Sequence, residues 1–352
     1  MVTSEQVAQR AGVSRATVSR VINGSKYIRS DVKERVLAAI TELGYEPDMI
    51  ARNLVQRRSK VIALSFFADH NTAPFFAKFG HATSYFYLDI LKNVELEAVS
   101  SGYDLLMPFR PLDKSPEGYV RSLQTRRVAG SIMMVHGAQD PRVPALLRAE
   151  LPIVFIDSTI EGPAATYVKS DHIESARQLT AYLLELGHRR IAFLAGLSTS
   201  LSGIERMLGC HQALAQAGIA LDGNLLRHSD WNMEDAYQTT SALLDERHDF
   251  TALVAASDVM AIGALRALNE HGLRVPEDIS LASFDGIDFS EYTSPPLTTM
   301  CQDSQSIGGG AVRRLISIIE GTDPQPPPPL LVPTHLVVRK STRPLSENKL
   351  HL

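Results

Sequence analysis

Two cysteines and one tryptophan in 352 residues rule out several classes of protein at once. Cys210 and Cys301 are too few and too far apart for a disulfide framework or a zinc site, so packing is the expected role of both. No run of 18 apolar residues could cross a bilayer and no signal peptide is visible, which predicts a soluble, cytoplasmic chain without a membrane partner. There is no P-loop, no Gly-x-Ser-x-Gly elbow and no metal-ligand spacing among the 11 histidines. Ser306-Ile307-Gly308-Gly309-Gly310 has the look of a phosphate cradle but lacks the Lys-Ser/Thr that follows one, and it reads as a tightly packed helix start. No enzyme, metal site or cofactor is expected.

What is present is unevenly spread. Residues 1–60 hold 11 Lys and Arg against 6 Asp and Glu, a net of +5, whereas the remainder holds 24 against 33, a net of −9. A basic head on an acidic body is an electrostatic footprint for nucleic acid that the overall charge of −4 conceals. Within the head, Val7, Ala8 and Ala11 recur at helical spacing, and Gly12 supplies the backbone freedom for a tight turn. Ser14 can cap a second helix whose apolar face is Val18, Val21 and Ile22 and whose end is Asn23-Gly24. Two short helices across a Gly turn make a helix-turn-helix, the second helix of which enters the major groove.

The outward face of that second helix offers Ser14, Arg15, Ala16, Thr17, Ser19 and Arg20, with Asn23 at its end and no carboxylate among them. Arg15 and Ala16, at the N-terminal end, suit base reading: bidentate bonds to guanine and apolar contact with a thymine methyl. The hydroxyls and Arg20 suit phosphate contacts that set register. A third helix is expected from Ser30 to Leu43, with Val32, Val36, Leu37, Ile40 and Leu43 inward and Gly44 as its stop. After Pro47 the chain has the makings of one or two further turns, too few to stand without a partner, and then the cationic run Arg57-Arg58-Ser59-Lys60.

Beyond residue 60, apolar runs alternate with amphipathic stretches. Val61–Phe66, Asp104–Met107, Gly130–Val135, Ile153–Ile156, Ile191–Leu194, Ala252–Ala255 and Ile279–Ser283 read as buried strands, and Leu88–Ser101 as one of the intervening helices. That alternation predicts an α/β body of parallel sheets covered on both faces, with ligand sites beyond the carboxyl ends of the strands. Asp157, Asp258 and Asp285 all stand just past such runs, where a carboxylate either caps the next helix or meets a ligand; Asp258 is the clearest cap. The stretch 69–84, with Phe75, Phe76 and Phe79, is long for a strand-to-helix join and suits a lid, a dimer contact or a small satellite core.

The head motif Val-Ala-Gln-Arg-Ala-Gly-Val-Ser…Thr-Val-Ser-Arg-Val-Ile-Asn resembles that of the lactose-repressor/galactose-repressor (LacI/GalR) family of bacterial transcription regulators. The resemblance runs through Glu-Leu-Gly-Tyr-Glu-Pro, Leu186-Gly187-His188-Arg189-Arg190-Ile191, Leu273–Ser280 and Pro295-Pro296-Leu297-Thr298-Thr299 and covers nearly the whole chain. It implies a helix-turn-helix domain at 1–46, a hinge helix and linker at 47–60, a two-lobe periplasmic-binding-protein-like body at 61–344 and a tail at 345–352. The N-lobe would comprise about 61–160 and 287–302, and the C-lobe about 163–285 and 305–344. Ala51 would let paired hinge helices approach in the minor groove, and Leu54 would wedge into the central base step. Phe86, Tyr87, Asp157, Ser202, Arg206, Trp231, Asp258, Asp285 and Gln302 become effector-binding candidates, with Arg206 as a planar fork, Asp285 as a double acceptor and Trp231 as a platform.

The function implied is a homodimeric, sequence-specific DNA-binding regulator, with repression the expected sense, on pseudo-palindromic double-stranded operator DNA. Its small-molecule effector would be a carbohydrate. The alternatives are a nucleobase-responsive corepressor-type regulator and a solute-binding protein, the latter having no use for the basic head. The short tail carries no leucine heptads to build a four-chain assembly.

Overall fold

In a computed structural model of the chain, residues 2–22, 25, 27–45, 59–65, 85–107, 115–134, 140–322 and 325–345 are described. The chain divides into two units, Met1–Lys60 and Val61–Leu352.

Among the described residues the first unit holds three helices: α1 (Ser4–Ala11), α2 (Arg15–Ile22) and α3 (Ser30–Leu43). Thr3 opens α1 with a capping box, its hydroxyl accepting from the Gln6 amide while the Gln6 side chain takes the Thr3 amide. Gly12 ends α1 at φ +65°, a left-handed conformation that costs a residue without Cβ nothing. Ser14 Oγ accepts from the Thr17 amide at 3.1 Å and starts α2. Val7, Ala8, Ala11, Val18, Val21, Val36 and Ala39 close the core. Leu37, expected inside, is 46% exposed. On α3 the buried pair is Val36 and Ala39, an i, i+3 stripe that puts Leu37 about 100° round the helix toward solvent.

The second unit runs β1 (Val61–Ser65), α4 (Tyr85–Ser100), β2 (Asp104–Leu106), α5 (Pro116–Thr125), β3 (Gly130–Met134), α6 (Arg142–Arg148), β4 (Ile153–Ile156) and β5 (Ala165–Ser170). It continues α7 (His172–Glu185), β6 (Ile191–Ala195), α8 (Leu201–Gln216), β7 (Leu226–His228), α9 (Met233–Glu246), β8 (Ala252–Ala255), α10 (Asp258–Glu270) and β9 (Ser280–Asp285). The last elements are β10 (Thr298–Cys301), α11 (Ser304–Glu320), β11 (Leu330–Val332) and β12 (His335–Val337).

Two six-stranded sheets form, ordered β11-β5-β4-β3-β1-β2 and β12-β10-β9-β8-β6-β7. Every pairing is parallel except β10 with β12. In the first lobe Ile62, Leu64, Ile132 and Met134 face a core shared with α4 and α11, while Ala63, Met133, Ile153 and Phe155 face the core under α5 and α6. The second lobe repeats this: Phe193, Val254 and Phe284 face α7 and α8, and Leu194, Leu253 and Leu281 face α9 and α10. Successive side chains of a strand leave on opposite faces, so a strand covered on both sides is apolar throughout.

The allocation of segments to lobes corrects the sequence-based one. β5, within the 163–285 stretch assigned to the C-lobe, pairs with β4 in the first sheet, and β10, within 287–302 of the N-lobe, pairs with β9 in the second. α11 and β11, expected in the C-lobe, pack on and pair within the first lobe. β11 and β12, adjacent in the chain, belong to different sheets and are split at Pro333-Thr334, where proline has no amide to donate to a ladder. Apolar pattern marks a strand, but the partner is chosen by long-range hydrogen bonding that the pattern does not encode. The chain therefore crosses between lobes three times, at 170–172, 301–304 and 332–335.

Candidate functional site

The head presents the surface expected of a groove reader. Ser14, Arg15, Ala16, Ser19 and Arg20 are exposed along α2 and Thr17 is half-buried, its hydroxyl 2.9 Å from that of Ser14. Arg15 is steadied by Ser4, whose Oγ accepts from Nε at 3.0 Å, so the cation is supported from α1 while remaining solvated. Arg10 and Glu42 pair at 2.7 Å and tie α1 to α3; both are about half exposed and the pair contributes at most ~1 kcal/mol. Asn23, Ala51 and Leu54 lie outside the described residues.

In the body, polar groups converge where β4, β9 and β10 end. Arg206 on α8 is 5% exposed. Its Nη2 donates to Asp285 Oδ1 at 3.0 Å, its Nη1 donates to the Ala256 carbonyl, and its guanidinium lies over the Phe284 ring at 4.9 Å from the centroid. Gln302 Nε2 donates to the same Asp285 oxygen at 2.8 Å. Asp285 ends β9 at φ +108°, a conformation non-glycine residues rarely adopt, which marks strain held in place by its neighbours. Among the described residues the buried Arg206 Nε and Gln302 Oε1 have no hydrogen-bond partner. A donor and an acceptor left open on either side of a buried carboxylate would cost about 1–3 kcal/mol each unless something else pairs with them.

The first-lobe contribution centres on Asp157, just past β4 at φ +55°. Its Oδ1 lies 3.2 Å from His172 Nε2, and its Oδ2 accepts from the Tyr87 hydroxyl at 3.3 Å. Burial alone would raise the Asp157 pKa, but the His172 hydrogen bond and charge, with smaller help from Arg206 and Tyr87, outweigh it and hold the carboxyl below its ordinary value. Burial, reinforced by the charges of Asp157 and Asp285, pushes the Tyr87 hydroxyl well above the ordinary tyrosine value, so it is a neutral donor. Tyr87 thus senses carboxylates of both lobes.

Trp231 is half-buried between β7 and α9, with the Arg206 guanidinium 5.9 Å from its ring centroid. It rests on Gly196, where a Cβ would stand 2.2 Å from the indole. Ser202 is half-buried one turn before Arg206, its hydroxyl 3.0 Å from that of Ser200.

Two expected site residues have other places. Asp258 is not the cap of α10: Ser257 is, accepting from the Met260 amide at 3.1 Å. Asp258 is fully buried, taking Ser283 Oγ at 2.5 Å and Thr299 Oγ1 at 2.6 Å on one oxygen and the Gly286 and Ile287 amides, both at 2.8 Å, on the other. With its acceptor positions filled, it holds the Asp285-Gly286 turn from behind and is closed to a ligand. Phe86 is 7% exposed and sits in the apolar cluster with Val259 and Ile287 where the lobes meet. One residue along α4 turns a side chain by about 100°, so Tyr87 can meet Asp157 only if Phe86 points into the core.

Sequence reasoning missed three residues at the lobe junction: Lys169, His172 and Glu205. Lys169 belongs to β5, a strand not recognised. Glu205 could have been found, since it shares the first turns of α8 with Ser202 and Arg206 at i+3 and i+4.

Among the described residues no group of three or more His, Cys, Asp or Glu is placed to hold a metal ion, and no helix is long and apolar enough to cross a membrane. The model of bacterial regulatory proteins of the lacI family matches residues 4–48, and that of the periplasmic binding protein-like domain matches 180–342. The HTH-type transcriptional regulator CelR of Thermobifida fusca is 35% identical over 341 residues, covering 96% of this chain and 98% of its own. A structure of a CelR–cellobiose complex superposes with a TM-score of 0.71 at 33% identity, over 97% of this chain and 100% of that one. The lac repressor dimer bound to operator and the anti-inducer ONPF gives a TM-score of 0.82 at 31% identity, over 97% and 99% of the two chains. With an exposed cationic helix in the N-terminal unit, a two-lobed α/β body following it in sequence, and relatives matched over nearly their full length, the chain is a DNA-binding transcriptional regulator that belongs to the lacI family.

Proposed function

We propose that the chain is a homodimeric repressor whose grip on a pseudo-palindromic operator is set by a small carbohydrate held between its lobes. The observation that carries this is the buried Arg206–Asp285–Gln302 group with Arg206 Nε and Gln302 Oε1 unpartnered. A sugar hydroxyl donates and accepts at once, so neighbouring hydroxyls would satisfy both atoms, while Trp231 offers an apolar face to the ring's C–H groups. Asp157 and Tyr87 would meet the same ligand from the first lobe, and Ser202 from the start of α8.

On the DNA side Arg15 and Ala16 read bases, while Ser14, Thr17, Ser19, Arg20 and Asn23 fix register on phosphates. Ala51 and Leu54 act in the minor groove, as the family resemblance implies. No turnover is assigned to the site, and a chromosome-binding regulator works in the cytoplasm. Domain bounds of 1–46, 47–60 and 61–344 follow from the same reading.

The CelR–cellobiose structure makes cellobiose the first probe. Calorimetry with cellobiose, its constituent glucose, other neutral disaccharides and adenine should give saturable heat with a saccharide and none with adenine. Binding of adenine alone, with tighter operator binding in its presence, would replace this reading by a corepressor.

A further inference from the structure

Lys169 lies near the end of β5 in the first lobe, and Glu205 lies on α8 in the second; their ammonium and carboxylate are in direct contact across the junction. Residue exposures are 8% and 9%, so both charges have left water. What brings them together is the seating of α8. Gly209, one turn after Glu205, lies against α7 so closely that a Cβ there would stand 2.1 Å from the Ile173 carbonyl. That contact sets the first turns of α8 beside residues 169–173, where the chain first crosses between lobes.

As a stability device the pair is poor. Desolvating two charges costs several kcal/mol per ion, repaid only when the remaining hydrogen-bonding positions are satisfied. Here Glu205 Oε2 is buried and has no hydrogen-bond partner among the described residues. Two apolar residues of similar volume would cost less to bury. The pair differs from them in requiring a particular arrangement: its partners ride on separate lobes, so separating the lobes would strand both charges or return them to water. A contact made in only one of two arrangements biases the balance between them.

We propose that Lys169 and Glu205 form an inter-lobe latch, the positioning pair that sets the balance between closed and open lobes and through which the cleft's occupancy is converted to a signal. The proposal rests on the effector reading of the cleft, since only then does closure carry information. Glu205 shares the first two turns of α8 with Ser202 and Arg206, so a ligand engaging that helix tightens or loosens the latch through one rigid element.

The test reads lobe separation without sugar or DNA. Spin labels at exposed positions, Gln124 on α5 and Asn269 on α10, report the inter-lobe distance by electron double resonance in the full chain carrying Cys301→Ser. K169E and E205K each place like charges across the junction and should raise the open population at least about fivefold, the lower range of allosteric couplings. The swap K169E/E205K should return it toward the starting distribution. K169M/E205M, which buries no charge and so folds even if the single reversals do not, should also open. An unchanged distance distribution in K169M/E205M, or a swap no closer to the parent than either single reversal, would overturn the latch. A chain that ignored every sugar would overturn the effector reading and leave this result standing.

Discussion

Two cations on the head's α2 and two at the body's lobe junction are kept in opposite conditions. Arg15 and Arg20 stand in water on α2, Arg15 held by a serine hydroxyl, whereas Arg206 and Lys169 are buried and each faces a carboxylate. Exposed cations suit a polyanion, because affinity comes from releasing the ions that surround it and from contacts spread over many phosphates. Buried, paired cations suit a small neutral ligand, since every donor must be aimed and any left over is costly.

The contrast breaks most sharply at Arg206. Arg206→Ala removes the fork and leaves Asp285 as an uncompensated buried charge, a loss of about 3–5 kcal/mol for a broken buried pair. Calorimetry should show saccharide affinity lowered at least ~100-fold while operator affinity of the unliganded chain stays within about twofold; unchanged saccharide binding would displace the site from Arg206. Next in size is Asp258→Ala, which orphans two hydroxyls and two amides behind the site and should cost about 2–4 kcal/mol in urea unfolding. Retention of full stability would mean that the turn is held by something else.

Arg15→Ala should act differently in kind. Loss of a bidentate base contact costs about 1–3 kcal/mol at one position of each half-site and relaxes preference there, measured by selection from randomised operators. A uniform loss across all sequences would make Arg15 a phosphate contact instead.

The last effect is one of pH. Burial first, then the charge of Asp285, raises the Asp258 carboxyl to about 7, with its donors pulling the other way. Unfolded, the group titrates near ~3.9. Between about pH 4 and 7 the folded chain therefore holds a proton that the unfolded chain has lost, and stability falls as pH rises through that window. Asp157 works in the opposite sense: its depressed value adds stability above about pH 4 that is lost on acidification below it. Asp258→Asn should flatten the slope between pH 4.5 and 7, and an identical slope in the variant would assign it to other groups.

These expectations could be framed because much of the molecule is legible locally. α3 has the expected bounds, Ser30 to Leu43, because an apolar period and a glycine stop are short-range signals, and β4 and β8 likewise coincide with their apolar runs. Arg206, Asp285 and Gln302 are brought together at one site, but their hydrogen bonds depend on two strand ends and a helix far apart in sequence. The same non-locality hid the lobe allocation, since β5 and β10 choose their sheets through neighbours rather than through their own residues. Asp258 shows a subtler limit. Ser257 and Asp258 are both good caps by type, and only the position of the last β8 residue decides which hydroxyl or carboxylate reaches the free amide and which is carried inward. Lys169 carries no local mark at all, because β5 itself is not recognised from sequence.

The central claim is that a cation-bearing helix grips DNA under the control of a sugar held among buried, paired charges. Its most direct test is a fluorescence-anisotropy titration of the full chain on an inverted-repeat operator selected from a random pool, at one fixed salt concentration, with and without saturating cellobiose or the saccharide that binds by calorimetry. Operator affinity should fall at least about fivefold when the sugar is present. Failure to bind any inverted repeat, or the same affinity with the sugar bound, would contradict the account.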